Sequence, residues 1–320
     1  MTRLLLPVAL VATLALSACG TESAGSGAGS TASTTTGNAN PTGGTGSPST
    51  SATTNPLPPL RAALATVLDA PGKGPQLCLG GVLTSLPPQC GGPVIDNWDW
   101  AKAPKHDSAN GVRWGQYAVI GTYDAATSTF HLTKPVTTIE DYTGPRPRDP
   151  LTGQGPTTPC PAPAGGWKVL DPAKTTQEAE DATLAAAAAL STYAGAWLDQ
   201  SINPADPAKE PEKMNDPAKL ILNVKVIEAA AAAERTLRAT WGGMLCVSEG
   251  GHTEAELLAI QEELSTNTIP GLLGSGVDTQ LSVVELQVID DLDGRLQAGM
   301  DKKYGPGVVS VTSALLPYAD

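Results

Sequence analysis

Between Gly20 and Pro56 the chain runs for 37 residues without one large apolar side chain: GTESAGSGAGSTASTTTGNANPTGGTGSPSTSATTNP. Its only charge is Glu22. A segment of Gly, Ser, Thr, Ala, Asn and Pro cannot bury enough surface to offset the entropy of ordering it, so it is expected to be a disordered tether. As a flexible coil it would span roughly 30–35 Å. Any core must then come from Leu57–Asp320, 264 residues, enough for one large or two modest domains. Gly25, Gly27 and Gly29 mimic a phosphate-binding run, but no strand pattern precedes them and no helix pattern follows. The linker reading wins.

Upstream of this stretch stands MTRLLLPVALVATLALSAC, with one charge at Arg3, an apolar run from Leu4 to Leu16, and small residues after it. That is the layout of a secretory signal peptide, residues 1–18. The apolar run falls short of the ~20 residues a bilayer-spanning helix needs. The closing Leu-Ser-Ala-Cys resembles the lipobox of bacterial lipoproteins. The resemblance covers about the first nineteen residues. It implies that the Cys19 thiol receives a diacylglyceryl group, that the signal is cut before it, and that residues 19–56 form a lipidated linker. Two acyl chains, at about 0.8 kcal/mol per buried methylene, hold a protein at a membrane without spanning it. Membrane lipid through Cys19 is thus the expected partner, and the outer face of the cell membrane the expected location. The heavy use of Ala, Gly, Thr and Pro resembles that of high-GC actinobacteria, and the chain looks like an actinobacterial cell-envelope lipoprotein, a likeness that supplies no activity.

Losing residues 1–18 removes Arg3 and no acid, leaving 19 basic against 32 acidic side chains, a net charge of −13. Such a body argues against nucleic acid as a partner and against electrostatic adhesion to anionic lipid. Four cysteines remain after Cys19: Cys78, Cys90, Cys160 and Cys246. An even number in an exported chain favours two disulfides out of three connectivities. Proximity favours Cys78–Cys90, which leaves Cys160–Cys246. No CxxC occurs, so neither a zinc ribbon nor a thioredoxin-like site is indicated.

The expected fold class is α+β: a small β-rich domain over 57–143, a proline-rich connection over 144–170, and a layered α/β domain over 171–320. In the first part PPLRAALATVLDA reads as a short helix, followed by strands near Gln76–Val82 and Val94–Trp100. VRWGQYAVIGTYDAATSTFHLTKPV reads as a hairpin broken at DAATS. A partly open, OB-like barrel is one closure these strands allow. From Asp171 onward the period becomes helical. Thr175 and Glu178 suggest a capping box, and Leu190, Tyr193, Ala194 and Trp197 one buried helix face. Strands at LILNVKVI, MLCV, LSVVELQVI and VVSVTSALL then alternate with helices at EAAAAAERTLRA, TEAELLAIQEEL and DDLDGRLQAGMDKKYG. Thr253 and Glu256 form a second capping box.

The search for chemistry yields no catalytic residue, metal set or cofactor motif. His106, His131 and His252 are scattered, and HExxH is absent. The HTE at His252 lacks the PCxxC partner of a zinc deaminase, so His252 reads as a loop or pre-cap residue. No Ser-x-x-Lys or Gly-x-Ser-x-Gly occurs in the folded part, and LGSGVD around Ser275 reads as a turn. IDDLDG fails as a calcium loop, because Ile289 and Met300 stand where acids are required. Asp290, Asp291 and Asp293 instead suit the positive end of a helix.

The most site-like cluster is DNWDW. On a strand, Trp98 and Trp100 share one face and Asn97 and Asp99 the other. Trp98, Asp99 and Trp100 are therefore the candidate binding residues for a sugar or peptide. A core role for both tryptophans is preferred in a chain whose one phenylalanine is Phe130. Three functions compete. The first is a non-enzymatic binding or interaction module of the cell envelope, with an envelope ligand or protein as partner. The second is an envelope hydrolase pairing Asp96 or Asp99 with Glu140. The third is a ligand-capturing transport subunit, disfavoured because the two halves read differently.

Overall fold

The computed structural model describes residues 58–147 and 157–319. The expected signal peptide, Cys19 and the Gly/Ser/Thr-rich stretch lie outside the described residues. The architecture is α+β and rich in sheet. Its first part contains β1 (Arg61–Ala70), β2 (Gly74–Cys78), β3 (Val94–Ile95), β4 (Asp107–Ala109), β5 (Val112–Asp124), β6 (Thr129–Leu132) and β7 (Thr137–Thr138).

Five of these strands close a ring. β1 pairs with β2, β2 with β3, β3 with β6, β6 with β5, and β5 again with β1. Only β3–β6 is parallel. Between β2 and β3 one pair, Gln76 with Val94, closes the seam. This is a small, OB-like barrel with a thin side. Its interior is filled by Ala63, Val67, Leu77, Ile95, Tyr117, Val119 and Phe130.

Residues 61–70 form a strand, where the alanine-rich sequence had suggested a helix. Propensity is overridden by packing on two sides. Ala63 and Val67 point into the barrel, while Ala62 packs outside with Ala118 and Tyr142, and Leu68 with Cys78 and Val112. A two-residue period buried on both faces leaves little of the polar alternation that marks a strand in sequence.

The second part holds α1 (Gln177–Ala188), β8 (Tyr193–Asp199), β9 (Ile221–Val226), α2 (Ala230–Leu237), β10 (Met244–Glu249), α3 (Glu254–Thr266), β11 (Leu272–Asp278), β12 (Val283–Val288), α4 (Arg295–Tyr304), β13 (Val309–Ser313) and β14 (Leu316–Pro317). Three differences from expectation stand out. The cap of α1 is Thr176, whose side chain accepts from the Ala179 amide, so the Thr175–Glu178 box does not form. The helix stops before Leu190, and Tyr193, Ala194 and Trp197 lie on β8 rather than on a helix face. Ser275 lies in the middle of β11, not in a turn. The Thr253–Glu256 capping box is present, and His252 directly precedes it. Asp291 accepts from the Leu296 and Gln297 amides at 2.8 and 2.9 Å, seating the start of α4.

These elements form two copies of one unit, helix–strand–strand–helix–strand. In each copy the first two strands are antiparallel, the second and third are parallel and joined by a helix, and the second strand is central. The residue before the joining helix is left-handed in both, Ala229 at φ 62° and Gly294 at φ 70°. The peptides Val226-Ile227-Glu228 and Val288-Ile289-Asp290 occupy matching places. The copies differ most between their first two strands: 21 residues, 200–220, in the first and 4 residues, 279–282, in the second. Where they meet, Gly195 has φ +145°, and a Cβ there would fall 2.3 Å from Thr279.

The chain end returns to its start. β14 pairs with β1, Arg61 opposite Pro317, and Ile289 and Leu315 join the barrel core. Arg61 Nε donates to Asp290 Oδ2 at 2.8 Å, with only 12% and 17% of the two side chains exposed. Both disulfides are formed, Cys78–Cys90 and Cys160–Cys246. The second fastens the connection to β10, where Cys160 and Trp167 cover Ile221, Met244 and Cys246.

Two predictions follow from these ties. Replacing Cys160 and Cys246 together with Ser should cost about 4–5 kcal/mol, because the bond closes a long loop; the corresponding Cys78/Cys90 pair should cost about 3 kcal/mol, both read from denaturation midpoints. Glu180 on α1 is buried, and its Oε2 has no hydrogen-bond partner. Burial pushes its carboxyl above the ordinary range, against the opposing hydrogen bond from Gln177. The unfolded chain therefore releases this proton first, so stability present below about pH 4.3 falls as pH rises toward the raised folded value. Glu180→Gln should add about 1 kcal/mol at neutral pH and little near pH 4. Equal melting shifts at both pH values would contradict this assignment.

Candidate functional site

β3 ends at Ile95, so the DNWDW cluster is not a strand. Residues 96–103 turn across one end of the barrel. Asp99 organises the turn: its carbonyl accepts from Lys102 and Ala103, and its Oδ1 from the Ala101 amide at 2.9 Å. That amide, with the Lys102 ammonium 3.3 Å away, holds the Asp99 carboxyl below the usual range. Asp99 is a turn residue spent on its own backbone.

The two tryptophans still end side by side. Their rings meet edge-on at 5.2 Å, Trp98 lies 5.2 Å from Tyr117, and Trp100 stacks near His106 at 4.9 Å. Both are half-buried against the barrel core. Trp100 Nε1 donates to Asp69 Oδ2 at 2.8 Å, and the same oxygen accepts from Arg113, whose guanidinium lies 5.1 Å from the Trp100 ring centre. The Tyr117 hydroxyl donates to the Lys105 carbonyl at 3.2 Å, and burial pushes its pKa up. Trp98 Nε1 is buried without a partner. The cluster plugs the barrel end, with one donor unsatisfied.

A second group lies on the barrel wall. His131 Nδ1 is 2.8 Å from Asp96 Oδ1. Asn97 stands in for a strand residue: its amide donates to the Leu132 carbonyl and accepts from the Leu132 N–H, each at 2.9 Å. Asp96 and His131 border an open groove of about 650 Å³ with Tyr123, Asp124 and Thr129. The parallel β3–β6 register brings them together, Ile95 opposite Phe130, and no spacing in the sequence announces it. Among the described residues Asp96 is paired with His131 and Asp99 with Lys102, and Glu140 joins neither pair. No group of three or more metal-binding side chains occurs among the described residues.

A third group was not anticipated. Lys225 on β9 reaches across to the second copy, where Nζ donates to the Gln280 carbonyl and, at 3.3 Å, to Ser282 Oγ. Desolvation pulls its pKa down, against the nearby Asp278 carboxylate. Ser248, opposite Lys225 in the ladder, and Asn223, two residues along β9, each keep a buried oxygen without a partner. A lysine within a run of strand-forming residues gave the only hint of this.

The chain matches no family model and no curated protein sequence.

Replacing Trp98 or Trp100 by Ala should cost about 3 kcal/mol through lost burial and a cavity at the barrel end. Trp100 also loses its bond to Asp69. A native-like melting curve for both variants, with quenchable indoles in the parent, would instead mark the turn as a free binding surface.

Proposed function

We propose that the protein is a lipid-anchored lipoprotein of the cell envelope whose folded body is a non-enzymatic binding or interaction module. The observation that carries this reading is the Leu-Ser-Ala-Cys lipobox at Cys19, placed after a signal-like apolar run and before a Gly/Ser/Thr-rich stretch. The reading needs no spanning helix, and among the described residues no helix is long and apolar enough to cross a membrane. The side chains of the barrel end are engaged with one another, which counts against a catalytic role for Asp99. Asp99 is tied to its own turn, and Trp100, Arg113 and Asp69 bond to one another.

The groove beside Asp96 and His131 favours a second reading, an envelope hydrolase. A carboxylate on Nδ1 fixes an imidazole with Nε2 as the accepting nitrogen, the arrangement of a general base. Asn97 Nδ2 lies 3.4 Å from that nitrogen and both groups are half-exposed, which weakens this alternative. His131→Ala would abolish turnover of a wall-derived substrate if the alternative held.

Cys19→Ala should move the protein from the membrane fraction to the soluble fraction. Inhibition of the lipoprotein signal peptidase should leave the uncut form. An alanine variant that still sediments with membranes would refute the anchor.

A further inference from the structure

From Gly74 to Ile95 the chain carries no charged residue, between Lys73 and Asp96. The Cys78–Cys90 bond closes the middle of this stretch into a loop. At its tip Leu83 is 65% exposed, Leu86 79% and Val82 38%, the densest group of exposed large apolar side chains among the described residues. Single exposed leucines are ordinary, but three within five residues on a covalently closed loop are not.

Three hydrogen bonds within the loop hold its shape. The Leu83 N–H donates to the Gln89 carbonyl at 2.9 Å, Ser85 Oγ to the Pro87 carbonyl at 2.9 Å, and Gln89 Nε2 to Ser85 Oγ at 3.3 Å. The remaining backbone groups of the tip keep their water at the headgroup level, so the leucine side chains alone would enter the apolar phase. Beside it, a groove of about 490 Å³ is floored by half-buried Trp114. An indole at the edge of an apolar tip suits a water–lipid boundary.

We propose that this loop is a second, reversible membrane contact, in which Leu83 and Leu86 dip into the lipid interface while the anchor holds the body near it. The proposal rests on the lipoprotein reading for its geometry. On that reading 37 residues, Gly20–Pro56, separate the anchor from the barrel. β1, which leads from the start of the barrel toward the loop's seat beside Leu68 and Ala70, spans about 30 Å. When a linker's length matches the span between two contacts, the second contact becomes intramolecular and even a weak one is occupied. The tip carries no charge, so attraction to anionic headgroups plays no part.

The test uses the full mature chain carrying Cys19→Ala, mixed at high lipid with phosphatidylcholine vesicles and with vesicles containing phosphatidylglycerol. Partition is expected with both, unchanged from low to high salt, and lowered about tenfold or more by Leu83→Asp with Leu86→Asp. Leu86→Ser serves if the double variant misfolds. Brominated phosphatidylcholine should quench one indole, and Trp114→Phe should remove that component. Absence of partition overturns the proposal. So does binding only to anionic vesicles that salt abolishes, binding without Trp114 quenching, or a concentration-dependent dimer that the Asp variants dissolve. The vesicle result does not depend on lipidation, so it fails or holds separately from the release of Cys19→Ala from cell membranes.

Discussion

Strand β1 is paired on both sides over most of its length. One side pairs along its length with β5, from Arg61 opposite Gly121 to Asp69 opposite Arg113. The other side is shared, β14 taking residues 61–62 and β2 residues 66–70. Its inward side chains belong to the barrel core, and Asp69 near its end receives the indole N–H of Trp100. Both the closure of the ring and the plug at its end depend on this strand. A sheet edge left unpaired invites association, and a closed ring removes most of that exposure.

Much of the second part was legible because helix and strand periods differ there. The strands at Ile221–Val226 and Val283–Val288 and the capped helix at Glu254–Thr266 stand where their patterns put them. The first part was harder, since β1 is buried on both faces by alanines and leucines that also favour helix. DNWDW misled for a different reason: its alternation is that of a strand, but Asp99 bonds its own backbone and turns the chain. The Asp96–His131 pair depends on a parallel register between distant segments, which local pattern does not encode. The repeated topology is echoed in sequence only by VIE and VID, too short to be read without the fold.

The two copies differ in how they treat their surroundings. The first presents Ile221, Met244 and Cys246 to the strap held by Cys160, and reaches the second copy through half-buried Lys225. In the second, Gln297 lies along β13, donating to the Val309 carbonyl at 2.9 Å and accepting from the Val311 amide at 2.8 Å. A side-chain amide thus occupies backbone groups that another strand could have used. One copy is covered by a disulfide-bound segment, the other has its outer strand occupied by a single glutamine.

Because β14 is contributed by residues 316–317, the first sheet is finished by a segment that follows β1 at a distance of more than 200 residues. A ribosome delivers β1 more than 200 residues before its partner. Until then Arg61 lacks Asp290, and the barrel interior lacks Ile289 and Leu315. The barrel is thus completed only once residues 289–317 are in place, and an alteration in β14 is felt directly in β1.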